Sequence, residues 1–260
     1  MKNITGKKIL VIGATGGFGS VISKTLDEYG ARLFLHGNKE SEKLNKLQSS
    51  LKNVDGTVLA DITKEQQVEN MYSEVVKAWN DKLDGLVISS GSTPVATEIK
   101  DTSLEDWNYA INVNLTGPFL LIKHASPLLK KAGGGKIVVI SSIFGIETPL
   151  NRGSYGAAKH GLTALVQTVS KEEGASPNII HINALCPGSA YGENAERAFE
   201  RTAKEKGISV DEFLKIKTSK IPAGRLLYPG EVAEATAFLC SDSSNYINGE
   251  LIKLTGGAIE

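Results

Sequence analysis

The sequence predicts an α/β protein built on a doubly wound, seven-stranded parallel sheet with helices on both faces. Short runs rich in β-branched residues alternate with longer helical patterns, which is typical of βαβ units. Several of these runs are apolar throughout, as strands buried on both faces must be. A glycine-rich turn follows the first run. The 260 residues predict a single domain, 1-260.

The predicted elements follow one another regularly along the chain. We expect strands over residues 8–12, 32–36, 57–59, 85–89, 136–141, 179–185 and 250–254. We expect helices over residues 18–29, 39–51, 64–79, 104–132, 155–173 and 230–240, with the long fourth helix broken near Gly117 and Pro118.

Residues 190-222, between the sixth and seventh strands, interrupt this alternation. Seven basic and six acidic side chains lie between Glu193 and Lys220, a balance that is typical of a solvated helix face. The segment also follows the carboxyl end of a strand, where open α/β sheets bind ligands. The alternative interpretation is therefore a mobile lid over a substrate.

The composition argues against several classes of protein. Lys plus Arg and Asp plus Glu both number 29, so the basic excess typical of a nucleic-acid binder is missing. The two cysteines, Cys186 and Cys240, form no disulfide framework, and no spacing suggests a metal site. No run has the length of a signal peptide or a membrane span. We expect a soluble, cytoplasmic protein without a metal or a membrane partner.

The glycine-rich turn joins the first strand to the first helix. Glycines there permit a tight turn and the close approach of a pyrophosphate, and free N–H groups at the helix start hold that anion. The position of the turn between strand and helix predicts a Rossmann-type dinucleotide site. Its candidate residues are Gly13, Thr15, Gly16, Gly17, Phe18 and Gly19.

The end of the second strand should select the 2′ group of the bound ribose. An acidic residue there accepts from a 2′-hydroxyl and repels a 2′-phosphate. The segment instead reads His36-Gly37-Asn38-Lys39. Asn38 can donate hydrogen bonds, Lys39 carries charge, and His36 stands close enough to help a phosphate. These residues favour NADP(H) over NAD(H), although Lys39 can equally be an exposed lysine of the next helix.

Tyr155 and Lys159 lie four residues apart at a helix start and therefore share one face. A free tyrosine has a pKa near 10 and exchanges protons poorly at neutral pH, whereas a nearby cation stabilises its phenolate. Ser142 ends the fifth strand, thirteen residues before Tyr155. Its hydroxyl can donate to a carbonyl oxygen that gains negative charge.

These motifs resemble the short-chain dehydrogenase/reductase family over nearly the whole chain. The glycine turn, Ser142, Tyr155 and Lys159 have the order and spacing of that family. Further positions that match its motifs are Asp61, Ile62, Gly91, Asn114, Asn183, Pro187, Gly188, Pro222, Arg225, Pro229 and Glu231. Within the family the chain resembles bacterial 3-oxoacyl-carrier-protein reductases.

The resemblance implies a role for each matching residue. Tyr155 exchanges a proton with the substrate oxygen, and Ser142 holds that oxygen. Lys159 holds the nicotinamide ribose and stabilises the phenolate, while Asn114 positions a water beyond it. Asp61 contacts adenine, and Ile62, Ser89, Gly91, Pro187 and Gly188 line the dinucleotide. The family transfers a hydride between a nicotinamide and a ketone or secondary alcohol, and many members are tetramers, so we expect a homotetramer or dimer.

Four departures from the family pattern leave alternatives open. Ile12 replaces a threonine, Ser89 and Ser90 replace Asn-Ala of the motif after the fourth strand, and Gly192 replaces a threonine that Tyr191 can compensate. A dinucleotide-binding sensor without turnover, or a non-redox net reaction, therefore stays an alternative to the enzyme.

The substrate also stays open. Carrier-protein reductases tend to carry basic residues near positions 133 and 176, where this chain has Gly133 and Ser176. Small ketones, sugars and specialised metabolites are the other candidates.

Overall fold

A computed structural model describes residues 3–148, 150–175 and 177–258, with only the backbone of residues 193 and 194. Its centre is a parallel sheet in the order β3-β2-β1-β4-β5-β6-β7. The strands are β1 (Lys8–Ile12), β2 (Arg32–Gly37), β3 (Val54–Leu59), β4 (Gly85–Ile88), β5 (Gly135–Ile140), β6 (Ile180–Pro187) and β7 (Leu251–Leu254). The predicted doubly wound, seven-stranded sheet is confirmed.

Helices connect the strands and cover both faces of the sheet. In the described residues they are α1 (Gly17–Glu28), α2 (Glu42–Ser50), α3 (Glu65–Ala78), α4 (Leu104–Ile111), α5 (Gly117–Lys131), α6 (Gly153–Gly174), α7 (Glu193–Lys206), α8 (Val210–Thr218) and α9 (Pro229–Leu239). Short 3-10 turns occupy Ile99–Asp101, Ile143–Gly145 and Asp242–Ser244, and a π-helical turn occupies Asn112–Thr116.

Two apolar layers hold the helices on the sheet. Helices α1, α2 and α9 bury one layer, to which Ile22, Leu44 and Val232 belong. Helices α3, α5 and α6 bury the other through residues such as Val68, Leu121 and Leu162. Both layers contain strand residues that are fully buried, as expected for parallel strands. The sheet edge formed by the strand carboxyl ends is thereby held rigidly.

Several predicted boundaries differ from the structure. Strand β3 begins at Val54 and not at residue 57, because Val54 and Gly56 pair with Leu33 and Phe34 of β2, with a register shift at Asp55. Helix α2 begins at Glu42 and not at residue 39, since the Ser41 hydroxyl accepts from the Leu44 amide and caps it there. The predicted break near Gly117 is present as the π-helical turn that ends at Thr116.

Residues 190–222 form α7 and α8 over a small apolar cluster. Phe199, Ile221 and Leu226 are buried there, and Phe213 packs beside them with its ring centre 5.8 Å from that of Phe199. The segment is thus helical, as its charge pattern favours. The two cysteines are free and buried, as predicted. Among the described residues, no helix has both the length and the apolar character of a membrane span.

Candidate active site

The candidate site lies where the chain changes its winding direction, between the adjacent strands β1 and β4. Open α/β sheets bind ligands in the crevice at such a switch point, beyond the strand carboxyl ends. Three predicted residues follow directly on strands that end at this edge: Gly13 after β1, Ser89 after β4 and Gly188 after β6. Ser142 lies one residue further on, after β5 and Ser141. Four of the predicted segments therefore meet at one edge.

The glycine turn leaves no room for side chains at two of its positions. Gly13 has φ +72°, and a Cβ there would lie 2.9 Å from the backbone nitrogen of Ser90. A Cβ on Gly19 would overlap the carbonyl oxygen of Gly13, whereas one on Gly17 would meet nothing within 4 Å. Gly17 therefore faces open space in front of α1, and the other two glycines shape the turn.

The start of α1 presents unpaired amides to that space. Its N-cap residue is Gly16, no side chain caps the helix, and its first turn has no acidic residue. The first amides of a helix lack partners within the helix and carry the positive end of its dipole. This arrangement fits the pyrophosphate of a dinucleotide.

His36 has a different position from the one predicted for a phosphate ligand. Its ring is buried, Nδ1 accepts from the amide of Gly13 at 3.2 Å, and Nε2 lies 2.9 Å from the carbonyl oxygen of Ala60. Both nitrogens are thus occupied within the protein, with Nε2 carrying the proton. Burial lowers the pKa of His36 and keeps the ring neutral. In this arrangement the ring offers neither nitrogen to a phosphate, and a direct phosphate contact of His36 stays a prediction.

Asn38 and Lys39 lie exposed beyond the end of β2. Asp61 stands at the end of the neighbouring β3 segment, where its Oδ1 accepts from the amide and the hydroxyl of Thr63. Partial burial opposes ionisation of Asp61, but the two bonds from Thr63 outweigh it and lower its pKa. Ile62 is buried beside it. This part of the edge offers one carboxylate and one apolar side chain near the exposed Asn38.

Two buried hydroxyls beyond β4 have no hydrogen-bond partner among the described residues. They belong to Ser89 and Ser90. A buried hydroxyl without a partner is costly and indicates a missing water or ligand. Because Ser90 also lines the turn at Gly13, both hydroxyls fit polar groups of a bound dinucleotide. The residues present are consistent with that cofactor.

The π-helical turn between α4 and α5 sets the position of Asn114. Its side chain is fully buried, Oδ1 accepts from the amide of Ser92 at 3.1 Å, and Nδ2 donates to the carbonyl oxygens of Ser92 and Ala110 at 3.0 Å each. Single π-helical turns occur often at functional sites. Asn114 thus ties the segment after β4 to the helix.

Lys159 and Asn114 converge on Gly91. A Cβ on Gly91 would lie 3.0 Å from Asn114 Oδ1 and 3.6 Å from Lys159 Nζ. The buried ammonium of Lys159 donates to the carbonyl oxygen of Ile140 at 3.4 Å and lies 5.7 Å from the ring centre of Tyr155. A glycine is needed at position 91 to let these two side chains approach.

Ser142 completes this group at the end of β5. Its Oγ accepts from the amide of Phe144 at 3.2 Å, so its hydroxyl hydrogen stays available for another acceptor. The ring of Phe144 packs edge-on against Tyr155 with a centre distance of 6.5 Å. The structure therefore brings the four predicted residues Asn114, Ser142, Tyr155 and Lys159 to one place.

Sequence reasoning missed two residues of this group. Ser92 anchors Asn114, and Cys186 receives the backbone amide of Ser142 close to the charge of Lys159. Burial raises the pKa of the Cys186 thiol to about 11, so it stays a neutral acceptor. No motif marks either residue, since each acts through a single backbone group that only the fold brings close.

The end of β6 leads into the predicted lid. The amide of Gly188 donates to Leu254 on β7, while Ser189 and Tyr191 pair with the backbone of Leu227. The rings of Tyr191 and Tyr228 stack at 4.9 Å. These contacts fix the base of the lid beside Pro187.

A group of metal-ligating type lies on α3 and α5. It consists of Glu65, Glu69 and His124, and the ammonium of Lys123 is bound to Glu65 at 2.5 Å. It shares no residue with the candidate site.

Comparison with known proteins agrees with this geometry. The model of the enoyl-(acyl-carrier-protein) reductase family matches residues 13–258. A 3-oxoacyl-(acyl-carrier-protein) reductase of Rickettsia felis is 32% identical over 100% of this chain and 99% of its own. A D-β-hydroxybutyrate dehydrogenase of Rhizobium meliloti is 28% identical over 96% of this chain and 98% of its own.

Solved structures have the same fold. An NAD⁺-bound xylitol dehydrogenase superposes with a TM-score of 0.91 and 26% identity over 98% of this chain and 100% of its own. An actinorhodin polyketide ketoreductase with NADPH superposes with a TM-score of 0.89 and 26% identity over 99% of this chain and 98% of its own. The family match spans nearly the whole chain and includes the glycine turn, Ser142, Tyr155 and Lys159. The chain therefore belongs to the short-chain dehydrogenase/reductase family and is an NAD(P)-dependent oxidoreductase of ketones and secondary alcohols.

Proposed function

We propose that the protein is an NADP(H)-preferring ketone reductase or alcohol dehydrogenase that uses Asn114, Ser142, Tyr155 and Lys159. The observation that carries the proposal is the approach of Asn114 and Lys159 to Gly91, with the Tyr155 ring 5.7 Å from the Lys159 ammonium. A bound nicotinamide dinucleotide supplies the hydride donor or acceptor. The protein supplies binding, orientation and proton exchange.

Each residue has a proposed task in that reaction. The Tyr155 hydroxyl gives a proton to the substrate oxygen during reduction and removes it during oxidation. The Ser142 hydroxyl donates to the same oxygen, where negative charge develops. The Lys159 ammonium lies 5.7 Å from the centre of the Tyr155 ring and holds the ribose hydroxyls. Asn114 keeps the segment at Ser92 in place and orients a water through which protons leave.

The dinucleotide lies along the strand edge in this proposal. Its pyrophosphate is held by the turn and the helix start, and its adenine lies near Asp61. The residues assigned to it are Gly13, Thr15, Gly16, Gly17, Phe18, Gly19, Asn38, Asp61, Ile62, Ser89, Gly91, Tyr155, Lys159, Pro187 and Gly188. The absence of an acid at residues 36–39 supports a 2′-phosphate, with Asn38 and Lys39 as its partners. His36 acts indirectly, by holding Gly13.

We also propose a dimer or tetramer and a lid formed by residues 190–222. Tyr109 on α4 and Phe119 on α5 are 56% and 44% exposed, and large apolar side chains exposed on these two helices suit a subunit contact. A cytoplasmic location stays a prediction.

Replacement of the proposed acid tests the enzyme. Tyr155→Phe should remove nearly all turnover of a ketone panel while leaving nucleotide binding within about threefold, because only the phenolic hydroxyl is lost. Tyr109→Phe is the matched control and should be fully active. Retained turnover in Tyr155→Phe would refute the assignment. If the unaltered protein bound the dinucleotide but turned over no ketone, the alternative of a dinucleotide-binding sensor would be favoured.

Parallel titrations with NADPH and NADH, followed by calorimetry, test the cofactor preference. Tighter binding of NADPH is expected, and Asn38→Asp should reverse it by repelling the 2′-phosphate. Tighter binding of NADH by the unaltered protein would show that the assignment of Asn38 and Lys39 is wrong.

A further inference from the structure

Arg152 lies at the start of the helix that carries Tyr155. It is the N-cap residue of α6, and its carbonyl oxygen accepts from the Gly156 amide at 2.8 Å. Tyr155 follows three residues later. Side chains three apart at a helix start are neighbours, with Cβ atoms about 5–6 Å apart. The backbone of Arg152 therefore lies within one helical turn of the proposed proton donor.

The side chain of Arg152 reaches the opposite wall of the site. Its Nη1 donates to the carbonyl oxygen of Pro94 at 2.9 Å, and Arg152 also forms a β-bridge with Thr97. Pro94 is two residues from Ser92, which Asn114 holds. Arg152 thus spans the gap between the Tyr155 helix and the segment that Asn114 anchors.

The charge of Arg152 has no carboxylate partner within the described part of the chain. Arg32 and Arg225, in contrast, form two-pronged bonds with Asp55 and Glu231. Arg152 is half-buried, and its only side-chain bond among the described residues goes to a neutral carbonyl. A half-buried guanidinium with unused donors is suited to an anion that arrives from outside.

Two exposed apolar residues lie close in the chain to the two ends of this connection. Val95 follows Pro94, Leu150 precedes Arg152 by two residues, and they are 68% and 87% exposed. Neither can hold a polar substrate group, whereas the guanidinium of Arg152 can.

We propose that Arg152 binds a carboxylate of the substrate, so that the site acts on short open-chain oxo acids and the matching hydroxy acids. This inference rests on the proposed function, because it takes the substrate carbonyl to lie at Tyr155. The short spacing between Arg152 and Tyr155 places the carboxylate a few bonds from the reacting carbon. A planar guanidinium pairs with a carboxylate through two parallel hydrogen bonds, which also fixes the face presented for reaction.

Acetoacetate and methyl acetoacetate are the probes that test the proposal. They carry the same ketone and differ in the negative charge. The unaltered protein should have a kcat/KM for acetoacetate at least tenfold above that for the ester. Arg152→Gln should lower kcat/KM for acetoacetate roughly 10- to 100-fold, as expected for loss of a charge-assisted hydrogen bond. The same variant should change kcat/KM for methyl acetoacetate by less than about threefold. The kcat/KM of Arg152→Lys for acetoacetate should lie between those of the unaltered protein and Arg152→Gln, because lysine keeps the positive charge but lacks the two parallel N–H donors.

Arg32→Gln is the matched control, because Arg32 is an exposed arginine at the start of β2, at the sheet edge opposite the site. This control separates specific binding by Arg152 from general attraction of anions, and it should leave kcat/KM for both probes unchanged. Thermal unfolding shows whether each variant is folded. Butyrate gives a second readout, since its inhibition of ester reduction should weaken in Arg152→Gln.

The outcomes separate this inference from the proposed function. Equal use of acid and ester, or an acid preference that survives in Arg152→Gln, would overturn the role of Arg152 while ester turnover upholds the oxidoreductase. Turnover of neither probe would also overturn it, and the ketone panel with Tyr155→Phe would then decide the proposed function alone.

Discussion

The ring of His36 holds the glycine turn in place, because its Nδ1 accepts from the backbone amide of Gly13 at 3.2 Å. The other nitrogen is fixed on Ala60, so the end of β2 and the segment after β3 brace the turn from behind. A residue that looks like a phosphate ligand in the sequence is thus a support for the turn.

Replacement of His36 should therefore reduce both stability and nucleotide affinity. His36→Ala leaves the Gly13 amide and the Ala60 carbonyl without partners, which costs roughly 2–4 kcal/mol of unfolding free energy. His124→Ala, on the surface of α5, is the control and should change stability little. Urea unfolding and NADPH titration measure the two effects. Unchanged stability in His36→Ala would contradict this role.

The same residue should make stability depend on pH. Burial lowers the pKa of His36 in the folded state, so the unfolded state binds its proton first. The stabilisation is complete above the unfolded pKa near 6.5 and is lost as the pH falls below that value toward the lower folded pKa. The stability difference between the unaltered protein and His36→Ala should consequently shrink from pH 7.5 to pH 5.

Gly17→Ala should separate cofactor binding from folding. The added methyl group meets no described residue within 4 Å, but it enters the space assigned to the pyrophosphate. We expect an unchanged melting temperature and at least tenfold weaker binding of NADPH. Gly230→Ala, in the first turn of α9 with equally open space, is the control and should bind normally. Full affinity in Gly17→Ala would place the pyrophosphate elsewhere.

Lys136→Met should stabilise the protein at neutral pH. The ammonium of Lys136 is buried on β5 without a hydrogen-bond partner among the described residues, and burial, assisted by Lys7, lowers its pKa from 10.5 to about 8. Asp242, Cys240 and His181 are the other titratable groups that interact with Lys136. The unfolded state therefore binds this proton more tightly. At pH 7 the buried ammonium lowers the free energy of unfolding by roughly 3 kcal/mol.

The pH dependence distinguishes this cost from a packing effect. For the unaltered protein, the contribution of Lys136 to stability should rise between pH 8 and pH 10.5, as the unfolded state loses its advantage. Lys136→Met should remove that rise. Lys131→Met, an exposed lysine paired with Asp81, is the control. Equal gains for both variants in urea unfolding would argue against a buried charge.

Residues 190–222 should gain order when substrate and cofactor bind together. Gly192 and Gly224, with φ of +147° and +69°, flank α7 and α8 and can act as hinges. Hydrogen exchange in residues 195–218 should slow on addition of both ligands, while α5 stays unchanged. Equal exchange with and without ligands would contradict a lid.

The sequence predicts the sheet, the helices and the four central residues because each depends on local patterns or fixed spacing. Tyr155 and Lys159 share a helix face wherever that helix packs. The contacts of His36, Cys186 and Ser92 depend instead on which strands become neighbours, and no local pattern encodes that. The prediction starts β3 too late for a similar reason, since Val54 and Gly56 pair with β2 despite the weak strand propensity of Gly56.

The packing of α1 on α9 has a consequence for how the chain acquires its activity. The apolar face of the nucleotide-binding helix, with Ile22 and Leu26, is covered by Val232 and Ala237 near the other end of the chain. During synthesis this face stays exposed to water until α9 has left the ribosome. A fragment ending before residue 229 contains every residue proposed for the site, yet it should fail to bind nucleotide and should aggregate.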